Sequence, residues 1–217
     1  MKDPEALDAV AKVTVLFMYG LLSPQAMQAN LGTRLVALRK RNGGVRPIAC
    51  GSVLRRLAAK AACEVFSDDI KTACGPHQYA VGKPGGCEVM HKCISALTEA
   101  NPRAVVLAFD CSNAYNSLPR QHILNGLRAR APALLKTAHS WLGGETTHLF
   151  WDNSNSAEPV RATSGVDQGC PMSPAFFAIT VAGALGAING RLRQLPPECR
   201  VFSYLDDIMA YSPPEHA

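Results

Sequence analysis

Three carboxylates stand where they could share one task. Asp110 closes a continuous apolar run of strand length, residues 104–109, and Asp206-Asp207 lies between two further apolar stretches, residues 201–205 and 208–211. A carboxylate at the end of a buried strand and two more in the tight turn of a hairpin can converge at one edge of a sheet, although 96 positions separate Asp110 from Asp206. Clustered carboxylates repel and are tolerated where divalent cations neutralise them. Oxygen ligands suit Mg²⁺, which also binds substrate phosphates. Taken singly, each piece is ordinary, because Asp-Asp is common in turns and an Asp often follows a strand.

A second group is cationic. Residues 31–60 carry Arg34, Arg39, Lys40, Arg41, Arg46, Arg55, Arg56 and Lys60 with no acid, a charge of +8 in a chain whose total is +5. A solvated basic face is one reading; a surface for phosphates is the other. The histidines at 77, 91, 122, 139 and 148 occur singly and read as surface or satisfied core residues. Gly82-Lys83 is followed by Pro84 and lacks the earlier glycine of a phosphate-binding loop.

The elements that must position these groups follow from local patterns. Asp3-Pro4 opens a helix with Leu7, Val10, Phe17 and Leu21 on one face, and Ser23-Pro24 opens another. Residues 35–38 and 45–49 read as strands around the turn Asn42-Gly43-Gly44, so the cations flank a projecting hairpin. A helix from Ser52 should bury Val53, Leu57, Ala61, Val65 and Ile70. Gly82, Gly85 and Gly86 precede a helix that Asn101-Pro102 ends, and residues 104–109 read as a buried strand. Helices are expected over 119–130 and 132–142. A second hairpin, 146–151 with 159–163, should turn around Asp152-Asn153-Ser154. Pro174 begins an uncharged helix whose apolar part, 175–188, is short for a membrane span of about 20 residues, so no membrane partner is expected.

Composition sets the outer bounds. With 217 residues, 47% of them hydrophobic and 18% charged, the chain can bury a core and is too apolar to be disordered. Eight cysteines without a C-x-x-C pair indicate neither a zinc module nor a disulfide scaffold, and fit an intracellular protein.

Four segments stand in a telling order: Arg46-Pro47-Ile48 after the basic hairpin; Phe109-Asp110-Cys111-Ser112-Asn113-Ala114-Tyr115-Asn116-Ser117; Ser164-Gly165-Val166-Asp167-Gln168-Gly169-Cys170-Pro171-Met172-Ser173-Pro174; and Tyr204-Leu205-Asp206-Asp207. In this order and at these spacings, over residues 35–211, they resemble the reverse transcriptase family, most closely its non-LTR, LINE-type retrotransposon branch. Residues 78–88, with Gly85-Gly86-Cys87-Glu88, resemble less specifically the segment preceding the first catalytic motif of such elements.

The resemblance implies an α+β fold: the fingers and palm of a right-hand polymerase, with an antiparallel palm sheet packed on helices. Residues 1–85 and 120–160 would be mainly fingers, 86–119 and 161–217 mainly palm. It implies RNA-directed DNA polymerase activity, transferring dNMP from a dNTP to a DNA primer 3′-hydroxyl on an RNA template. Asp110 and Asp206, supported by Asp207, would hold two Mg²⁺ ions, with Mn²⁺ as a substitute. Arg39 or Lys40, with Arg46, would grip the triphosphate. Tyr115 would lie beneath the incoming sugar and exclude a 2′-hydroxyl, and Gln168-Gly169 would lie against the template and nascent base pair. The sequence ends ten residues after Asp207, where the family continues into further palm elements and a thumb, so a thumbless piece of a retrotransposon polyprotein is expected. A retroelement protein would have to reach the nucleus. Two other readings carry less: an inactive remnant binding nucleic acid through the basic segment, and a group II intron maturase-like polymerase.

Overall fold

Asn42-Gly43-Gly44 reverses the chain as its residue types require: Gly43 has φ 83° and the Gly44 N–H donates to Asn42 Oδ1 at 3.1 Å. On either side run β1 (Thr33–Arg39) and β2 (Val45–Gly51), antiparallel and paired from Thr33 with Gly51 to Arg39 with Val45. In this computed structural model, which describes residues 3–151, 156–192, 194 and 199–214, the hairpin is half of a larger sheet. Two later strands, β4 (Thr146–Trp151) and β5 (Ala157–Ala162), complete it in the order β2-β1-β4-β5, with β4 parallel to β1. The turn expected at Asp152-Asn153-Ser154 lies outside the described residues.

A second, fully antiparallel sheet has the order β3-β7-β6, formed by β3 (Val105–Asp110), β6 (Arg200–Tyr204) and β7 (Asp207–Ser212). One face is covered by α5 (Gly86–Ala100), whose Met90, Cys93, Ile94 and Leu97 recur at helical spacing and pack with Val106, Phe202, Met209 and Tyr211. The chain is therefore α+β, with strands from 33–51 and 146–162 in one sheet and strands from 105–110 and 200–212 in the other.

The main core lies between helices. It joins α1 (Pro4–Met18), α3 (Val53–Val65), α4 (Ser67–Cys74), α7 (Arg120–Arg130), α8 (Leu135–Leu142) and α9 (Ser173–Leu192). Phe17 and Trp141 meet at 5.4 Å, and Gly126 lets α7 approach α9 so closely that a Cβ there would stand 3.2 Å from Thr180 Cα. Short helices α2 (Pro24–Leu31) and α6 (Ala114–Ser117) complete the set. The uncharged helix α9 is long and apolar enough to cross a membrane, but buries Phe176, Phe177, Ala178, Ile179, Ala182 and Leu185 inside the protein.

Several expectations are corrected. The expected helix from Ser52 breaks at Phe66, and its first part turns a different face inward: Val53 is 81% and Val65 71% exposed, while Arg55, Ala58, Ala59 and Ala62 are buried. Small alanines allow α3 to pack closely, and Arg55 is buried because it is paired. In α1, Leu7 and Val10 face outward, as does Leu21 beyond its end, and Thr14, Phe17 and Met18 go inside. β3 is an edge strand, not one buried on both faces: Val105, Leu107 and Phe109 remain exposed on the side away from α5.

Candidate active site

Strand register brings two of the three carboxylates together. Asp110 is the Cα partner of Asp207, and Asp207 in turn is the partner of Tyr204, so the three form a row across β3, β7 and β6. Cross-strand partners share a face, which sets the carboxylates of Asp110 and Asp207 side by side. Asp206 precedes them in the turn. Asp207 is thus the first residue of β7 rather than part of the turn, which consists of Leu205 and Asp206 alone. Leu205 makes that short turn by adopting φ 57°, a left-handed conformation that a leucine rarely takes.

None of Asp110, Asp206 and Asp207 is ion-paired among the described residues, where every salt bridge lies elsewhere. No group of three metal-ligating side chains is preassembled there either. What the register does supply is two adjacent carboxylates and a third next to them, uncompensated by any lysine or arginine. Hard oxygen donors in that state suit a divalent cation of the Mg²⁺ kind.

Tyr115 belongs to this end of the sheet. Its ring stacks on Phe177 of α9 at 5.1 Å and 11°, and burial pushes its phenol up to about 12, helped by the negative charge of Asp206. The segment that follows in the motif order is stitched onto α6: Gly165 N donates to Leu118 O at 2.7 Å, Val166 N to Tyr115 O at 2.8 Å, and Ser164 Oγ to Asn116 O at 3.1 Å. Gly165 has φ 72°, and a Cβ there would lie 2.4 Å from Asn116 O.

The same loop then reaches the first sheet. Ala49 N, on the outer edge of β2, donates to Gln168 O at 2.7 Å, and Gly169, at φ 120°, sits where a Cβ would be 2.7 Å from Ala49 O. Close backbone approach explains the glycine. Gln168 Oε1 is buried without a hydrogen-bond partner among the described residues, an acceptor left open. Arg46 is three residues along β2 from Ala49, at the exposed tip of the hairpin. There Leu38, Arg39, Lys40, Arg41, Asn42 and Arg46 line an open cavity of about 550 Å³.

Arg46 pairs with Leu38 and Arg39 with Val45, while Lys40 N donates to Gly44 O at 2.7 Å and extends the ladder by one step. The two-residue period places Lys40 on the face of Arg46 and Arg39 on the opposite face.

A buried charge network, which no sequence signal marked, holds this loop. Asp167, next to Gln168, meets Arg55 Nη2 at 2.6 Å and His148 Nε2 at 3.4 Å. Arg55 Nη1 also donates to Leu31 O at 2.6 Å, and His148 Nδ1 is 2.6 Å from Thr33 Oγ1. Arg120, buried at the start of α7, donates to Gly165 O at 3.3 Å, to Thr146 Oγ1 at 2.8 Å and to Gly144 O. Burial lowers the His148 pKa, the Asp167 carboxylate opposes that shift, and Arg55 and Arg120 reinforce it. The imidazole is therefore a neutral core residue, and Arg55 is no part of a phosphate-binding surface.

A family model described as reverse transcriptase (RNA-dependent DNA polymerase) matches residues 38–217. The chain belongs to the reverse transcriptase family. As a reverse transcriptase domain, a nucleotidyltransferase by family, it is 28% identical over 215 residues to the retrotransposable element SLACS 132 kDa protein of Trypanosoma brucei gambiense, covering 98% of this chain and 18% of that protein. That relative agrees with the retrotransposon branch read from the motifs. Its fold is that of the telomerases: apo telomerase from Candida tropicalis superimposes with a TM-score of 0.64 at 12% identity, over 96% of this chain and 44% of that one. Telomerase from Candida albicans in complex with a TWJ fragment of telomeric RNA gives 0.64 at 11%, over 85% and 38%. The reverse transcriptase domain thus spans under a fifth of its curated relative and under half of these telomerase chains.

Proposed function

We propose that this domain carries out RNA-directed DNA synthesis, transferring dNMP from a dNTP to the 3′-hydroxyl of a DNA primer on an RNA template. The observation that carries the reading is the Asp110–Asp207 register pair with Asp206 in the adjoining turn and Tyr115 beside it. In-line displacement at the α-phosphate develops charge on the attacking and leaving oxygens together. Asp110, Asp206 and Asp207 would hold the two Mg²⁺ ions. Those ions, when bound, supply charge stabilisation to both oxygens.

The chain's own residues position everything else. Lys40 and Arg46, sharing one face of the hairpin, attract and orient the triphosphate, with Arg39 contributing from the opposite face only to the general field. Tyr115, held flat against Phe177, forms a rigid floor for the sugar and leaves no space for a 2′-hydroxyl. Gln168 and Gly169, fixed against β2 by the Gln168 O contact with Ala49 N, form the surface that meets the template and nascent base pair. The strands and helices of residues 1–85 and 120–160 act as fingers, those of 86–119 and 161–217 as palm.

The test is primer extension on an RNA template by the full-length protein carrying Asp206→Asn. Loss of a metal-binding carboxylate should lower kcat by at least about a hundredfold without unfolding the domain. Wild-type extension by a folded Asp206→Asn protein refutes the metal role.

A further inference from the structure

The segment around Gln78 is tied to the carboxylate turn through both its side chain and its backbone. Gln78 is 0% exposed. Its Oε1 accepts from Leu205 N at 2.9 Å and from Ala80 N at 3.0 Å, and its Nε2 donates to Ser203 Oγ at 3.1 Å. The Ser203 hydroxyl passes the link on, donating to Leu205 O at 2.9 Å. Both polar groups of the Leu205 backbone are therefore tied to one buried cluster. The main chain doubles the connection: Ser203 N donates to His77 O at 2.9 Å and Tyr79 N to Ser203 O at 2.8 Å, a parallel bridge along the outer edge of β6. From the other side Gly86 presses on this segment, where a Cβ would stand 1.7 Å from Tyr79 O.

Leu205 is the residue that needs such a hold. Its left-handed conformation costs free energy for a side chain with a Cβ and persists only where the surroundings over-determine it. The next two residues are Asp206 and Asp207, so the conformation at Leu205 sets how those carboxylates are presented beside Asp110.

We infer that Gln78 is a positioning residue for the catalytic centre: its amide, through Leu205 N and Ser203 Oγ, holds the Leu205-Asp206 turn in the conformation that aims the metal-binding carboxylates. This rests on the proposed polymerase reading. It accounts for residues 78–88, where Gly86 lets α5 close onto the clamp and Gln78 is the clamp.

Gln78→Met keeps length and apolar volume and removes both the acceptor and the donor. In the full-length protein it should raise the Mg²⁺ concentration for half-maximal primer extension, and weaken Mn²⁺ binding in a calorimetric titration without nucleic acid, each about tenfold, equivalent to about 1.4 kcal/mol. The KM for dNTP, set by the fingers hairpin, should stay within about twofold. Amide exchange should accelerate in the peptide spanning 203–208. Adding Leu205→Gly, a residue at ease at that φ, should recover part of the lost metal affinity, which a merely structural defect would not allow. A folded Gln78→Met protein with wild-type Mn²⁺ affinity overturns the inference, as does failure of Leu205→Gly to recover any of it. If Gln78→Met does not fold, Ser203→Ala, which removes the hydroxyl and leaves the backbone bridge, should show the same changes at smaller size, and wild-type values there overturn it. Wild-type protein and Asp206→Asn assayed in parallel separate the two claims: a wild-type protein that extends no primer defeats the polymerase reading, a fully active Asp206→Asn protein defeats the metal role of the carboxylates, and an inactive Asp206→Asn beside an unaffected Gln78→Met defeats this inference alone.

Discussion

Asp167→Asn probes the buried charges that hold the Gln168 loop, and its cost can be worked from the contacts. The carboxylate is the partner of Arg55 Nη2 at 2.6 Å and of His148 Nε2 at 3.4 Å, and its negative charge also bears on Arg120. Asparagine keeps the shape and deletes the charge. Arg55 would then retain one strong acceptor, Leu31 O, with its Nε already buried without a partner among the described residues. Removing one member of a buried ion pair costs about 3–5 kcal/mol. The 11% exposure of the Asp167 side chain places this pair near the lower end, about 3 kcal/mol. For a chain of this length that corresponds to a Tm lower by about 6–12 °C. Urea unfolding and calorimetry would measure it, and the loss should barely change between about 0.05 and 0.5 M NaCl because buried pairs are little screened. The double variant Arg55→Met/Asp167→Leu removes both charges and should recover at least half of the stability. A loss under about 1 kcal/mol for the single variant, or a double variant no better than the single, would refute the reasoning.

Three further outcomes follow from the same geometry. Tyr115→Ala should raise ribonucleotide incorporation relative to dNTP by at least about tenfold, read from kcat/KM for matched dNTP and rNTP pairs; an unchanged ratio contradicts the gate. Lys40→Ala should raise the dNTP KM more than Arg39→Ala does, because only Lys40 shares the Arg46 face, and equal effects would contradict the register assignment. His148 has a folded pKa below its ordinary 6.5, so the unfolded chain takes up the proton first as pH falls. Its contribution to stability is complete above about 6.5 and declines below it, with a slope of at most about 1.4 kcal/mol per pH unit. Urea midpoints between about pH 7 and 5 should show that slope, flattened in His148→Asn.

Much of the site was legible because its chemistry is local. The basic hairpin declared itself through Asn42-Gly43-Gly44, and Asp110 and Asp206 through apolar runs that end on a charge. What stayed hidden depends on the third dimension. The run 104–109 has the composition of a strand buried on both faces, yet composition does not say that it stands at a sheet edge. The inward face of α3 is made of alanines and Arg55, which carry little hydrophobic periodicity, so Val53 and Val65 gave a stronger and misleading signal. Arg55 and Asp167 lie 112 positions apart, and each is unremarkable until the fold makes them neighbours. Asp207 belongs to the strand because Leu205 accepts a left-handed backbone, a choice that Gln78 enforces from outside the hairpin.

The exposed side of β3 has a colloidal consequence. Among the described residues the outer edge of 105–109 is unpaired, with Val105, Leu107 and Phe109 beside it, and the segment contains no charge or proline to discourage another strand from joining. The strand that carries Asp110 is thus also open to pairing with another chain, and a lysine at Leu107 would act as a gatekeeper there.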